Sequence, residues 1–524
     1  MTEVAVTPDV ISSTVFRVKG QRSRWIYPDQ RITPEHCEVL RDVNISEFGM
    51  AESRGGYAAY NSDAGALTGS EGVTGILQQE WSTGEDLIVV GTTKIYLDNG
   101  TTRNNITGSV SLSSGGVHDY WRFAFLSDKV VATNGKDALW YKDNDNDASP
   151  SNAAALTFSS PGVTIQACED ILEHRGLLFA LAPTEGGTKY PTRVRWCDID
   201  SAIQVPSISR WPDRNRSEIY EGSSPIVGGV DNFSRMLVFK KDGMYPGGIE
   251  WEVGYLEFHT HPQEIKRGFH PVAKNSFITR PEFVFGIARE GAFIVTPDLS
   301  VQIITQDITD EWRKLNMSRL NKAVSWVREE EHQVRTLLNT AGVTTGHDII
   351  LVWDWETGDV WFDRPSDSLN MAARITITDV EQELVGTAAG ILYKGPSGSQ
   401  DNTTDVDWIV QMHANDLGYP GRTKTIHNFR TIYDFKSGQN TAVLDIKRDR
   451  GRLKTFNHTV DFSGGLVAWN ASGIKWNDGS KWGGGTNQED QVWVNLQAET
   501  IAPKWSSSAP AKLIGYQVEF TVEE

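Results

Sequence analysis

One short pattern recurs along most of this chain, and it constrains the fold more than any other feature. Each occurrence has an aliphatic run, then a turn rich in Gly, Asp, Asn or Lys, then a second short run that contains an aromatic residue. Residues 129–132, for example, precede Asn134-Gly135 and the apolar residues 139–141. Asn-Gly between two apolar runs is typical of a tight β-hairpin. The pattern therefore predicts a series of antiparallel hairpins.

The hairpins are spaced like the blades of a propeller. Seven occurrences lie between Tyr96 and Tyr393, so the mean spacing is about 50 residues, close to the 40–50 of a four-stranded blade. Separate β-sandwiches, the alternative, place turns every 8–12 residues without this longer period. We therefore predict an all-β chain with a β-propeller of about six to eight irregular blades over residues 76–396. The aliphatic runs of the seven hairpins are residues 87–91, 129–132, 177–180, 236–239, 283–287, 349–353 and 384–387.

The ends of the chain differ in character from this repeat. Residues 397–404 are polar and predict a linker. The long alternating runs beyond it predict a C-terminal antiparallel β-sandwich over residues 405–524. Residues 1–75 are expected to form an N-terminal arm and the strand that closes the propeller ring. A single helix is predicted at residues 307–321, with Thr309 as its N-cap.

Charge and composition exclude several classes of protein. The net charge is −18, and residues 407–524 hold 13 basic and 13 acidic side chains, so the first 406 residues carry the whole excess. Such a body should repel nucleic acid rather than bind it by counterion release. The three cysteines are an odd number without CxxC spacing, which argues against disulfides and thiolate zinc sites. We see no secretory leader and no apolar run near the roughly 20 residues of a membrane span, so we expect synthesis in the cytoplasm and no membrane span.

The acidic run at residues 143–147 resembles the start of a calcium-binding loop. Asp143, Asp145 and Asp147 alternate as the first ligands of such a loop do. Positions six and twelve should be Gly and Glu, but they are Ala148 and Ala154. We therefore expect a solvated loop rather than a metal site.

The remaining chemical signals are also weak. His259 and His261 share one face of a strand, with His270 nearby, but no further ligand has convincing spacing. No GxSxG, HExxH or P-loop motif is present, and nothing selects a pair of carboxylates for glycoside hydrolysis. The nearest match to a sialidase-type box is residues 477–482, and it occurs once. We predict that the chain is not an enzyme and has no cofactor.

Five C-terminal tryptophans leave two interpretations open. Trp469, Trp476 and Trp482, with Trp493 and Trp505, are candidates for a glycan-stacking platform. The alternative is that they pack inside a Gly-rich sandwich. The first interpretation predicts that these indoles are exposed, and the second predicts that they are buried.

Several segments follow one another in a characteristic order: residues 194–198 (VRWCD), 210–213 (RWPD), 228–245, 284–295, 308–312 (ITDEW), 315–323 and 349–361. This order resembles the tail hub and nozzle proteins of short-tailed bacteriophages, also called tail tubular protein B or packaged-DNA stabilisation proteins. The similarity covers residues 80–400 and consists of hydrophobic patterns.

This resemblance implies a structural subunit of the virion tail. Such subunits form a ring, six-fold in this family, that continues the DNA channel below the portal and adaptor proteins and closes it until genome ejection. Tail-fibre or tail-tip proteins would be its other neighbours, and DNA would pass through the lumen without specific binding. No gate or channel-lining residue can be carried over to this chain. The alternative function is a glycan- or receptor-binding tail protein on a propeller scaffold, with a propeller glycosidase ranked below it.

Overall fold

The computed structural model describes most of the chain. The described residues are 11–12, 18–21, 36–45, 50–61, 65–69, 71–81, 84–112, 116, 119–143, 152–159, 162–200, 205–232, 234–252, 255–377, 380–434, 441–449, 453–461 and 487–522.

The described part of the chain from Gly75 to Gly395 forms seven successive antiparallel sheets of four main strands. Each sheet is a blade of a β-propeller, numbered 1 to 7 in chain order, with its first strand innermost. Blades 1 to 3 consist of Gly75–Trp81, Gly84–Val90, Ile95–Asp98 and Arg103–Asn105; of Arg122–Leu126, Lys129–Thr133, Trp140–Asp143 and Ala154–Ala155; and of Ile165–His174, Leu177–Glu185, Arg193–Trp196 and Arg216–Glu218, with Thr188–Lys189 added.

Blades 4 to 7 continue the same order of strands, and the last blade takes its outer strand from the N-terminal part of the chain. They consist of Ile226–Asn232, Arg235–Lys240, Gly243–Glu252 and Tyr255–Thr260, with Lys266–Arg267 added; of Ile278–Thr279, Val284–Ile287, Ala292–Val295 and Val301–Ile303; of Val324–Arg328, Gln333–Leu338, Ile349–Asp354 and Val360–Asp363; and of Leu369–Ile377, Val380–Thr387, Leu392–Gly395 and Ala58–Ala59.

The blades close into a ring. Neighbouring innermost strands contact one another, and the innermost strand of blade 7 contacts that of blade 1. There the Gln78 side-chain amide donates to the carbonyl of Thr376 at 2.7 Å. At the outer edge of blade 7, Ala59 pairs with Tyr393. The propeller is therefore closed by a strand from outside the repeat.

The predicted hairpins are confirmed, and their burial explains why the sequence signal is strong. All six residues of Gln333–Leu338 and of Ile349–Asp354 are buried, because a blade packs against neighbours on both faces. Ile349–Asp354 is accordingly a nearly continuous apolar run, whereas Gln333–Leu338 also buries Gln333, Arg335 and Thr336. The turns follow local chemistry: Gly135 in the Asn-Gly turn has φ +82°, a conformation that favours glycine.

The helical prediction is only partly correct. The α-helix spans Thr309–Arg313 and is flanked by the 3₁₀ turns Gln306–Ile308 and Met317–Lys322. Thr309 is the first helical residue and does not cap the helix, because its hydroxyl donates to the carbonyl of Gln306. The other 3₁₀ turns are Pro262–Glu264 and Lys274–Ser276. No helix in the described ranges is long and apolar enough to cross a membrane.

A β-sandwich follows the propeller in the fold. One sheet has the order Val43–Ile45, Ala51–Ser53, Lys512–Val522, Lys424–Asp434, Asn487–Ala498, and Ile11–Ser12 pairs with Lys512–Val522. The other has the order His36–Arg41, Trp408–Met412, Ile501–Ser507, Thr441–Arg448, Leu453–Asp461, and Lys19–Gln21 pairs with His36–Arg41. Two short hairpins stand apart: Asp198–Asp200 with Val205–Ser207, and Gln400–Asp401 with Thr404–Asp405.

The sandwich is not built from residues 405–524 alone, which differs from the predicted division of the chain. The N-terminal strands His36–Arg41 and Ala51–Ser53 each pair with C-terminal strands. Arg41 also bridges to Phe362, so blade 6 and one sandwich sheet are continuous. The predicted linker contains a hairpin, and its Asp401 is only 4 % exposed. Both ends of the chain therefore build the second unit.

Buried charges hold the propeller and the sandwich together. Arg54 is 2 % exposed and donates to Asp42 at 2.7 Å and to both carboxylate oxygens of Asp401 at 2.6 and 2.8 Å. The bidentate geometry fixes orientation as well as distance. Asp42 also accepts from the backbone N–H of Arg364, which follows the last strand of blade 6. We call this cluster and its blade 6–7 neighbours, described next, the junction.

The junction continues into the two last blades. Arg335 of blade 6 lies 3.2 Å from Glu383 of blade 7 and 3.8 Å from Asp363. The Tyr57 hydroxyl donates to Glu383 at 3.0 Å, and Arg328 contacts the same carboxylate. Neither oxygen of Asp363 has a hydrogen-bond partner within the described ranges. The junction thus joins the N-terminal segment, blades 6 and 7, and the hairpin that contains Asp401 in one buried ionic cluster.

Candidate functional site along the propeller axis

The acidic run at residues 143–147 lies only partly within the described residues. Asp143 ends the third strand of blade 2 and forms an ion pair with Lys129. Asp145 and Asp147 lie outside the described residues, and position twelve of the supposed calcium loop, Ala154, belongs to the outer strand of the same blade.

The tryptophans of the predicted glycan-stacking platform do not share one environment. Trp469, Trp476 and Trp482 lie outside the described residues. Trp505 is fully buried, and its indole N–H donates to Thr431 at 3.1 Å, so the core-packing interpretation holds for this residue. Trp493 is 73 % exposed on the strand Asn487–Ala498.

The histidines do not form a metal site within the described ranges. His259 lies 3.9 Å from Glu257, whereas His270 pairs with Glu290. Across the ranges that the structure describes, no group of three or more His, Cys, Asp or Glu side chains could hold a metal ion. The cysteines are all buried and unpaired.

The innermost strands surround an axial cavity of about 420 Å³. Twelve of its eighteen lining residues are apolar, and the other six are Arg122, Asn275, Thr279, Ser325, Glu329 and Arg374. The apolar lining residues are Ile76, Leu77, Trp121, Phe123, Phe277, Ile278, Val324, Trp326, Val327, Met371, Ala372 and Ala373.

A second cavity of about 530 Å³ opens at one end of the axis, and five lysines line it. We call this set the lysine mouth: Lys136, Lys189, Lys241, Lys274 and Lys322.

Blade topology explains why the five lysines meet. Lys136, Lys189 and Lys241 belong to the connections between second and third strands in blades 2, 3 and 4. Lys274 and Lys322 precede the first strands of blades 5 and 6. In a four-stranded antiparallel blade, these two kinds of position lie at the same end. Five consecutive blades therefore each present one lysine to the same opening.

Carboxylates neutralise only part of the lysine mouth. Lys189 and Lys274 both approach Glu169, at 2.8 and 3.6 Å, and Lys322 lies 3.2 Å from Asp119. Burial alone would raise the pKa of Glu169, but Lys274 and Lys189 hold that pKa below its usual value.

Two lysines of the mouth have no such partner. Lys136 and Lys241 are exposed and form no ion pair with any carboxylate of the described residues. Among the described residues that line the mouth, Glu169 and Asp119 are the only acids, so five cations face two anions there. The mouth therefore has an excess of positive charge in a chain of net charge −18.

The opposite end of the axis is different. Glu329, which follows the innermost strand of blade 6, pairs with Arg280 and lies 3.3 Å from Arg374. Arg374 also lies 3.3 Å from Glu381. Here cations and anions alternate in one network, so the axis has a paired end and an unpaired, positive end.

Sequence reasoning missed the lysine mouth. The five lysines lie far apart in the sequence, in connections between strands, where lysine is common. The only available signal was the blade register: aligning the seven hairpins would have placed Lys136 and Lys241 at equivalent turns.

Comparison with known proteins adds three solved structures. No family model matches the chain, and no curated protein matches it. The Neurospora crassa Pan2 WD40 domain has 8% identity and a TM-score of 0.35, and the match covers 67% of this chain and 96% of that one. BBS1N in complex with ARL6DN, soaked with lead, has 10% identity and a TM-score of 0.38, with 65% and 97% covered. The N-terminal domain of Nup159 has 10% identity and a TM-score of 0.35, with 72% and 98% covered.

Proposed function

We propose that the chain is a structural subunit of a bacteriophage tail, in a hub or nozzle ring that continues the DNA channel and closes it until ejection. The order of segments in residues 80–400 resembles such proteins, and their architecture includes a propeller. The junction is the structural observation that best supports the proposal.

The junction suits a component that resists force. Arg54 connects Asp42 with Asp401, and Arg41 bridges the sandwich sheet to blade 6. Moving the sandwich away from the propeller would break the hydrogen bonds that Asp42 and Asp401 accept from Arg54 and Arg364, and these bonds to charged groups are directional as well as strong. A wall around pressurised DNA requires such stiffness, whereas a module on a flexible linker lacks it.

The path of the DNA would lie between subunits. An axial cavity of about 420 Å³ lined by aromatic and aliphatic side chains cannot admit a duplex. The proposed conduit is therefore the lumen of a ring of copies, six-fold in our proposal. Cyclic symmetry would repeat each lumen-facing carboxylate around the axis. With a Debye length of about 8 Å at 0.15 M salt, the repulsion of phosphates would act only near the wall.

The proposed neighbours follow from this position. Within the virion tail, adaptor or portal-proximal proteins would lie above the ring, and tail-fibre or tail-tip proteins around or below it. The acidic side chains of the first 406 residues, including the run that begins at Asp143, are the candidates for the lumen surface. No cofactor or catalytic step forms part of the proposal.

Imaging tests the assembly directly. We expect negative-stain electron microscopy of the purified chain, at micromolar concentration and with or without adaptor protein, to show closed rings of six copies. The matched control is Arg216→Ala, which removes an exposed ion pair with Asp213 and should leave the rings intact. A chain that stays monomeric in both conditions would contradict the proposal.

Trp493 favours a second candidate function, that of a glycan- or receptor-binding tail protein. Its indole is 73 % exposed, which suits stacking on a sugar ring. Glycan-array binding that is lost in Trp493→Ala would favour this function. Glycan binding that persists in Trp493→Ala would show that Trp493 is not the binding residue.

A further inference from the structure

The lysine mouth concentrates positive charge on a chain whose net charge is −18. Most of the protein is acidic, yet five consecutive blades each direct one lysine to one opening, with only Glu169 and Asp119 among them. Like charges that converge repel one another, and their mutual repulsion falls when an anion binds between them. This asymmetry is independent of the assignment to a phage tail.

We propose that the lysine mouth binds an acidic peptide segment of a partner protein. The cavity of about 530 Å³ has the size of a ligand site and holds a few amino-acid residues. Among the described residues, Lys136 and Lys241 form no ion pair with a carboxylate, whereas Lys189, Lys274 and Lys322 already share Glu169 and Asp119.

The chemistry of lysine fits carboxylates at variable positions. Each ammonium group is a compact charge with three donors on a flexible stem, so it accepts Asp or Glu side chains without one fixed geometry. Asn275 and Asn321 also line the cavity, and their amides can donate to or accept from a peptide main chain. The mouth therefore offers both kinds of contact that an acidic peptide needs.

A nucleic acid fits this surface less well than a peptide. A long phosphate chain would extend beyond the mouth and meet the field of a protein of net charge −18. A short acidic segment ends within the cavity, and at a Debye length of about 8 Å it responds mainly to the nearby lysines. The net charge of the chain thus selects for a short anionic ligand.

Binding of a labelled peptide tests the proposal. Fluorescein-labelled hexaglutamate is titrated with the full chain at about 50 mM salt, and its anisotropy is followed. We expect saturable binding that weakens by about tenfold or more between 50 and 200 mM salt, and by about tenfold or more in the double variant Lys136→Glu/Lys241→Glu. The matched control is Lys447→Glu/Lys504→Glu, which makes the same charge change on sandwich strands and should leave the affinity within about twofold.

Competing ligands decide between the alternatives. Inorganic tripolyphosphate and a labelled single-stranded DNA 12-mer are titrated in parallel, and melting curves verify that all variants are folded. Absence of peptide binding, equal loss in both double variants, or tighter binding of DNA than of hexaglutamate would each overturn the proposal. Binding of tripolyphosphate without hexaglutamate would replace the peptide by a small phosphate ligand and would equally overturn it.

Discussion

The contacts between blades and the junction between propeller and sandwich are both buried, but different forces hold them. Between blades 4 and 5, Phe239 stacks on Phe277 with ring centroids 4.4 Å apart. At the junction, Arg54 lies between the carboxylates of Asp42 and Asp401. Apolar contacts tolerate small changes of shape and lose free energy roughly in proportion to the area lost. An ionic junction depends on its central cation, because the loss of Arg54 would leave buried carboxylates charged and without water.

The largest expected effect comes from removing the central cation of the junction. Arg54→Ala leaves Asp401 buried without its counter-ion and Asp42 with only the longer contact to Arg41 at 3.6 Å, so we expect the free energy of unfolding to fall by about 3–5 kcal/mol. We also expect the sandwich and the propeller to unfold in separate transitions. Urea unfolding followed by circular dichroism and tryptophan fluorescence measures both effects.

The control for this variant is Arg216→Ala at an exposed ion pair, which should cost less than about 1 kcal/mol. If the two variants lose similar stability, the junction contributes no more than a surface pair. The contrast with the blade contacts would then disappear.

The second effect concerns pH. Burial, opposed by Arg335, raises the pKa of Asp363 to about 7. Between about pH 4, where an unfolded Asp titrates, and pH 7, the folded chain binds more protons at this site, so the Asp363 contribution makes stability fall as pH rises. Asp42, whose pKa burial also raises, acts in the same direction.

Asp363→Asn is neutral at every pH and should flatten this slope. We expect the variant to be more stable than the parent chain at pH 8, by on the order of 1 kcal/mol, and to gain less at pH 5. Urea midpoints at the two pH values give the comparison, with the exposed Asp213→Asn as the control. Parallel pH profiles for parent and Asp363→Asn would show that Asp363 does not titrate in this range.

The smallest effect is expected within a blade. Ile350 is fully buried in blade 6, and Ile350→Val removes one methylene group. The expected loss is about 0.5–1.5 kcal/mol, without a change in the pH slope or in the number of unfolding transitions. Val380→Ala, at a position 52 % exposed, serves as the control and should have little effect in thermal melts. A loss above about 3 kcal/mol for Ile350→Val would mean that a small change of side-chain shape destabilises a blade as much as the loss of a charge destabilises the junction.

The same contrast explains how much of the fold the sequence could predict. The hairpins were predictable because turn and apolar runs lie within a few residues of one another, as in the Asn134-Gly135 turn. The N-terminal sandwich strands were not, because a contact such as Gln411 with Glu38 joins residues 373 positions apart. Asp401 was assigned to a polar linker because a charged residue is usually exposed, whereas in the fold its carboxylate is buried against Arg54 and the backbone N–H of Ser366. The lysine mouth was not predicted for a related reason, since its five lysines come together only after the ring has formed.

The strand that closes the propeller also has a consequence for the order of events during synthesis. Arg54, a few residues before the closing strand Ala58–Ala59, pairs with Asp401, which lies 347 positions later. At roughly 5–20 residues per second, about 20–70 s separate the translation of the two. Throughout that interval the strands Val43–Ile45 and Ala51–Ser53 have none of their C-terminal partners. The nascent chain must therefore keep its first β-strands from pairing with other chains until nearly the last residue has left the ribosome.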